Sequence, residues 1–171
     1  MDKAGWRERS GEAMRERRRR EPIPYAKATS GAAARDEISR MLRQFGCESV
    51  GFMDDFDENS VLLAFRHRGR QIQLKASARG WAAMLLRAHP WSTKRRGKTR
   101  ADYERAALMQ GSVAVNSILR DWVKGQLTAV ECGMMPFESV WLPYMLTNDG
   151  QTLSERIAGL NLLPPPRDAA A

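Results

Sequence analysis

Lys94, Arg95, Arg96, Lys98 and Arg100 fall within seven positions of the stretch RAHPWSTKRRGKTR (residues 87–100), and Trp91 stands just upstream. Backbone phosphates are met by positive charges on long, adaptable stems, and an unpaired base stacks on a flat ring. Thr93 and Gly97 complete a loop that can follow a polyanion. The bases continue upstream as Arg66, Arg68, Arg70, Lys75, Arg79 and Arg87. From Asn59 to Ala101 the chain carries eleven bases and no acid. Residues 1–20 are net +4, 21–58 net −4 and 102–171 net −3, so the formal charge of +8 is concentrated in one block. Solvated faces usually mix signs. An unmixed run therefore points to a phosphate-binding surface, with an arginine-rich arm at 15–20 as a second grip.

Two other chemistries deserve weighing. A Mg²⁺ nuclease of the PD-(D/E)xK kind needs two carboxylates for the metal and a lysine near the attacking water. Glu37, then Asp54, Asp55 and Asp57 before the second strand, then Lys75 on the third, give part of that pattern. Gln73 stands where the second carboxylate belongs, and an acidic turn explains the aspartates more simply. Zinc is disfavoured, because His67 and His89 have no Cys or carboxylate at metal spacing. No nucleophile arrangement and no phosphate-cradling glycine loop is present, and no cofactor is expected.

Elements that position these residues follow from periodicity. Ser30 caps a helix on which Ile38, Met41, Leu42 and Phe45 recur at helical spacing until Gly46. Val50 and Phe52, then Val61, Leu63 and Phe65, then Ile72 and Leu74 alternate as three strands. DDFDENS joins the first two, and RHRG makes a tight hairpin between the second and third. Gln71, Gln73 and Lys75 then share a wet sheet face opposite Ile72 and Leu74. A helix over 78–88 ends at Pro90. A long helix runs from Thr99 or Arg100 to about Cys132, with Leu108, Val115 and Trp122 at heptad spacing and Leu119, Val123, Leu127 and Val130 completing its stripe. That spacing keeps helix–helix dimerisation open. Pro136 opens a helix with Phe137, Val140, Trp141 and Tyr144, and Thr152 with Glu155 forms a capping box.

The class is α+β: helix, three-stranded antiparallel sheet, then a helical C-terminal half with one long helix. Residues 1–22 read as a flexible basic arm, 23–163 as one domain and 164–171 as a disordered tail. Helix, three strands, helix is also the order of the double-stranded RNA-binding domain, but that family's lysines at the second helix are replaced here by a single Arg79. Cys47 and Cys132 read as reduced, partly buried thiols. With no membrane-length apolar run and no secretory signal, the expected location is the cytoplasm.

Four stretches resemble a widespread family of uncharacterised bacteriophage and prophage proteins. They are IP…K…DEISRMLRQFGCESVGFMDD from Ile23, LLAFRHRGRQIQL, LRDWVKGQLTAVECGMMPFESVWLPYML, and NDGQTLSERI with LNLLPPP, together spanning 23–166. The helix at 78–88 and the loop STKRRGKTR depart from the shorter linker usual in that family. The resemblance implies a phage gene product in a bacterial cytoplasm, similar to small proteins that accompany replication and recombination genes. It carries over no catalytic residues. The expected function is a nucleic-acid-binding accessory protein of low sequence specificity, without enzymatic activity. Its rivals are an inhibitor that binds a host or phage protein (an anti-CRISPR or other anti-defence protein) and the nuclease.

Overall fold

The computed structural model describes residues 23–92, 99–160 and 162. Its elements are α1 (Gly31–Gln44), β1 (Ser49–Asp55), β2 (Ser60–His67), β3 (Arg70–Ser77), α2 (Ala78–Ala88), α3 (Arg100–Glu131), α4 (Phe137–Trp141), a 3₁₀ turn (Leu142–Tyr144) and α5 (Leu153–Gly159). This is the expected α+β order. The arm at 1–22 and the tail at 164–171 lie outside the described residues.

The sheet is a meander, β1-β2-β3, antiparallel throughout. Its alternation sorts residues as the pattern requires. Val61, Leu63, Phe65, Ile72 and Leu74 are buried toward the helices, while Gln71 and Lys75 face outward and are exposed. Arg68 and Gly69 both take positive φ (51° and 75°), the backbone of a two-residue turn whose twist matches the strands it joins. The other end closes differently from expectation. Asp54 and Asp55 are the last residues of β1, paired with Val61 and Ser60, and the turn is only Phe56 to Asn59. Strand pairing pulled the two aspartates out of the loop.

The helices α1, α2, α3 and α4 share one core with the inner face of the sheet. α3 runs between α1 and α2, and its residues Ala114, Val115, Leu119, Val123 and Leu127 join the core. α2 and α3 approach closely at Gly111, where a Cβ would stand 2.9 Å from the Ala78 carbonyl oxygen. Trp141 is fully buried, edge-on to Phe65 (5.0 Å between centroids) and to Trp122 (5.3 Å). The heptad positions Val115 and Trp122 thus serve the chain's own core. The free edge of β3 is closed by Met145 and Leu146, with the Leu146 N–H donating to the Gln71 carbonyl (2.8 Å). Among the described residues no helix is long and apolar enough to cross a membrane.

Candidate nucleic-acid interface

The sheet register separates the predicted bases. Ser60 pairs with Ser77 at one end and His67 with Arg70 at the other, so the hairpin tip and the start of α2 lie about 23 Å apart. α2 then leads farther away. At its end the Tyr103 hydroxyl donates to the His89 carbonyl (2.7 Å), tying the loop's base to the first turn of α3. The hairpin end is tied to the far end of α3: His67 packs between Phe45 and Phe137, the latter just beyond that helix. α3 is about 48 Å long, so Arg66, Arg68 and Arg70 at the hairpin lie far from Arg87 and Arg100 at the other end of that helix.

At the hairpin and sheet, acids from flanking segments meet the bases. Arg66 Nε donates to Glu48 Oε2 (2.6 Å), and Arg70 Nη1 to Glu138 Oε1 (3.2 Å). Lys75 stands 3.9 Å from Asp55. Arg79 bonds the Asp57 carbonyl (2.7 Å) and lies 3.6 Å from Glu58. Arg66 and Arg70 also emerge on opposite faces. Glu48 accepts from the Gly69 N–H and from Arg66, which together hold its carboxyl below the usual glutamate range. The run is acid-free in the chain but not in space. In this group only the Arg68 side chain has no carboxylate partner among the described residues, although its backbone N–H also faces Glu48.

The other end is different. Arg87 is exposed on α2 and unpaired among the described residues. Arg100 pairs with Glu104, one turn along its own helix (2.8 Å, side chains 76% and 47% exposed), and Arg105 lies 3.4 Å from Asp102. α3 is capped here by Thr99 and Asp102 in a reciprocal box that sequence reading placed only as a helix start. Trp91 is half-buried. Thr93, Lys94, Arg95, Arg96, Gly97 and Lys98 lie outside the described residues. Between positions 87 and 105 the chain nevertheless carries seven bases against two acids.

Of the nuclease constellation only Asp55 and Lys75 come together, 3.9 Å apart on the outer face of the sheet. Asp54 faces the helices, in a two-bond pair with Arg35 (2.5 and 2.9 Å) that lowers its carboxyl pKa. Lys75 and Gln73 point out of the opposite face. Glu37 lies 3.6 Å from Arg120. Among the described residues no three His, Cys, Asp or Glu side chains converge as a metal set. Cys47 lies 4.0 Å from His67, and burial, with the charge of Glu48 next, pushes its thiol up to about 11. It is therefore protonated and unreactive. Cys132 is free and exposed rather than partly buried, because it caps the solvent end of α3.

Sequence reading missed a cleft of about 740 Å³, framed by the segment 23–30, α1, α3 and the end of α2. Its one legible trace was the break in the apolar stripe of α3 at Asn116 and Ser117, both buried. No family model, no curated protein and no solved structure matches the chain.

Proposed function

We propose that this is a phage-encoded accessory protein that binds nucleic acid through backbone phosphates, with low sequence specificity and in the cytoplasm of the host. The observation that carries the reading is the contrast in charge pairing. Arg66, Arg70, Lys75 and Arg79 are matched by carboxylates from other segments of the chain, while positions 87–105 carry seven bases against two acids, both on the first turns of α3. The working surface is then Arg87, Trp91, Lys94, Arg95, Arg96, Lys98 and Arg100, narrower than the whole run. Arg66, Arg70, Lys75 and Arg79 act chiefly in holding the sheet's edges. Low specificity follows from contacts made to phosphate and not to base edges. A role beside replication or recombination fits the resemblance to phage proteins.

The test is fluorescence anisotropy with labelled DNA and RNA over a salt series. Affinity should fall steeply with salt. Replacing Lys94, Arg95, Arg96 and Lys98 by Ala should reduce the logarithmic salt slope by about 3–4 and leave the fold intact. Salt-independent affinity, or a slope untouched by the four substitutions, would refute it.

A second reading has its own observation. Among the described residues β1 is a sheet edge with no strand beyond it; it presents Met53 (61% exposed), and Phe56 (86% exposed) stands at its end. Such an edge accepts an extended strand from a protein partner, as an anti-defence inhibitor would require. Phe56→Ala would abolish capture of that partner and leave nucleic-acid affinity unchanged.

A further inference from the structure

The cleft of about 740 Å³ has the size and composition of a ligand site. One wall is apolar: Ala33 and Ala34 on α1, Ala26 and Ala28 opposite, and Leu85 from α2. Such a wall accepts the face of a ring. Polar groups are few and set apart. Ser117, only 6% exposed, lines the cleft. A hydroxyl on such a wall can donate to or accept from the polar edge of a ligand. Glu37 and Arg120 stand beside it, 3.6 Å apart, and Arg120 is also held by Asp121 at 2.8 Å. Lys27 and His89 complete the charged or polar rim.

The outer wall is held in place. Tyr25 has φ +62°, a left-handed backbone that disfavours a bulky side chain. Its hydroxyl donates to Asp121 (3.0 Å), the Trp81 indole N–H donates to the Pro24 carbonyl (2.9 Å), and the Gln110 amide reaches the carbonyls of Ala26 and Ala28 (3.3 and 3.0 Å). Three side chains from α2 and α3 thus fix this strap over the cavity, so the cleft is preformed.

Position suggests its occupant. Leu85 and His89 border both the cleft and the α2 end, two residues before Trp91 and the cationic loop. A strand whose phosphates lie on that end would pass the mouth of the cleft. We infer that the cleft takes an unpaired nucleobase of a single-stranded nucleic acid, its ring against the alanine wall and its edge toward Ser117 and Glu37. This rests on the phosphate-binding reading and deepens it: the substrate class becomes single strands. A base held in a duplex cannot enter without being unstacked and turned out.

The experiment uses the full chain with labelled oligothymidylate, alone and annealed to oligoadenylate. The single strand should bind about tenfold tighter. Ala33 is exposed on α1, so Ala33→Trp can fill the cleft from its rim. This variant should lose that preference and keep its duplex affinity. Photocrosslinking of the wild-type chain to bromodeoxyuridine-substituted strand should mark peptides holding Tyr25 or His89, which keeps the test independent of the variant. Equal affinity for both probes, or crosslinks confined elsewhere, would overturn the cleft while sparing the phosphate reading. Binding of neither probe would overturn both.

Discussion

The hairpin end and the loop end both present arginines, and they hold them in opposite ways. At the hairpin, Arg66 and Arg70 are laid against Glu48 and Glu138, over a cluster in which Phe45, His67, Phe137 and Trp141 touch in series. At the loop, the described bases have only pairs within their own helix, Arg100 with Glu104 and Arg105 with Asp102, and Arg87 has none among the described residues, while one hydrogen bond from Tyr103 holds the loop's base. A cation already matched to a carboxylate gives up that pair when it meets a phosphate, while an unmatched one gives up only water and counterions. Equal charge in the sequence is thus unequal in use. The contrast teaches that a charge run should be judged by what the fold brings opposite it.

The largest effect expected on this contrast comes from the cluster under the hairpin. Trp141→Ala should cost about 3–5 kcal/mol, because a fully buried indole with two edge-on ring neighbours leaves a cavity the sheet cannot close. Denaturant unfolding measures it. If the cost is under half of that, the hairpin end is not the anchored one.

Acid should come next. Arg35 holds Asp54 below its ordinary 3.8, and Arg120 holds Asp121 below the same value. A depressed carboxylate stays ionised in the fold after the unfolded chain has begun to bind protons. Stability is therefore full above about 3.8 and is lost as pH falls below it through the folded values. Asp54→Asn should cost about 1 kcal/mol at neutral pH, after allowing for solvent screening of a partly exposed pair, and should flatten the acid limb. Thermal melts between pH 2 and 7 would read both. An unchanged limb would mean the pair contributes nothing.

At the loop end, Tyr103→Phe removes the hydroxyl that holds the His89 carbonyl, and should cost about 0.5–1 kcal/mol. Amide exchange should quicken near residues 88–92 and not at the hairpin. Quickening at both ends would erase the distinction between them.

What the sequence showed and hid follows the same division. Periodicity of Val61, Leu63 and Phe65, the RHRG turn, and the Thr152–Glu155 box are local signals, and each maps onto the element it specifies. The partners of the bases are non-local. Nothing at position 66 announces Glu48, eighteen residues back, or at position 70 announces Glu138, sixty-eight residues ahead. Those distances close only through strand register and the return of the chain after α3. The cleft was hidden for the same reason. Its strap and its floor are joined by Tyr25–Asp121 and Trp81–Pro24, contacts across ninety-six and fifty-seven positions.

The smallest effect is the sharpest test of the comparison. If Arg66 and Arg70 are silenced by their carboxylates, removing the acids should turn the hairpin into a second binding end. Glu48→Gln with Glu138→Gln keeps shape and one acceptor oxygen in each side chain, enough for the Gly69 N–H at position 48, but frees two positive charges. Neither acid is buried and both pairs are solvent-exposed, so stability should hardly move. Affinity for nucleic acid at low salt should rise by roughly threefold, and the salt slope should steepen by about 1–2 as the freed cations displace counterions. The gain should vanish at high salt, where those contacts are screened. Should affinity stay level at every salt concentration, the hairpin arginines lie off the path of the strand, and the contrast between the two ends is one of position and not of pairing.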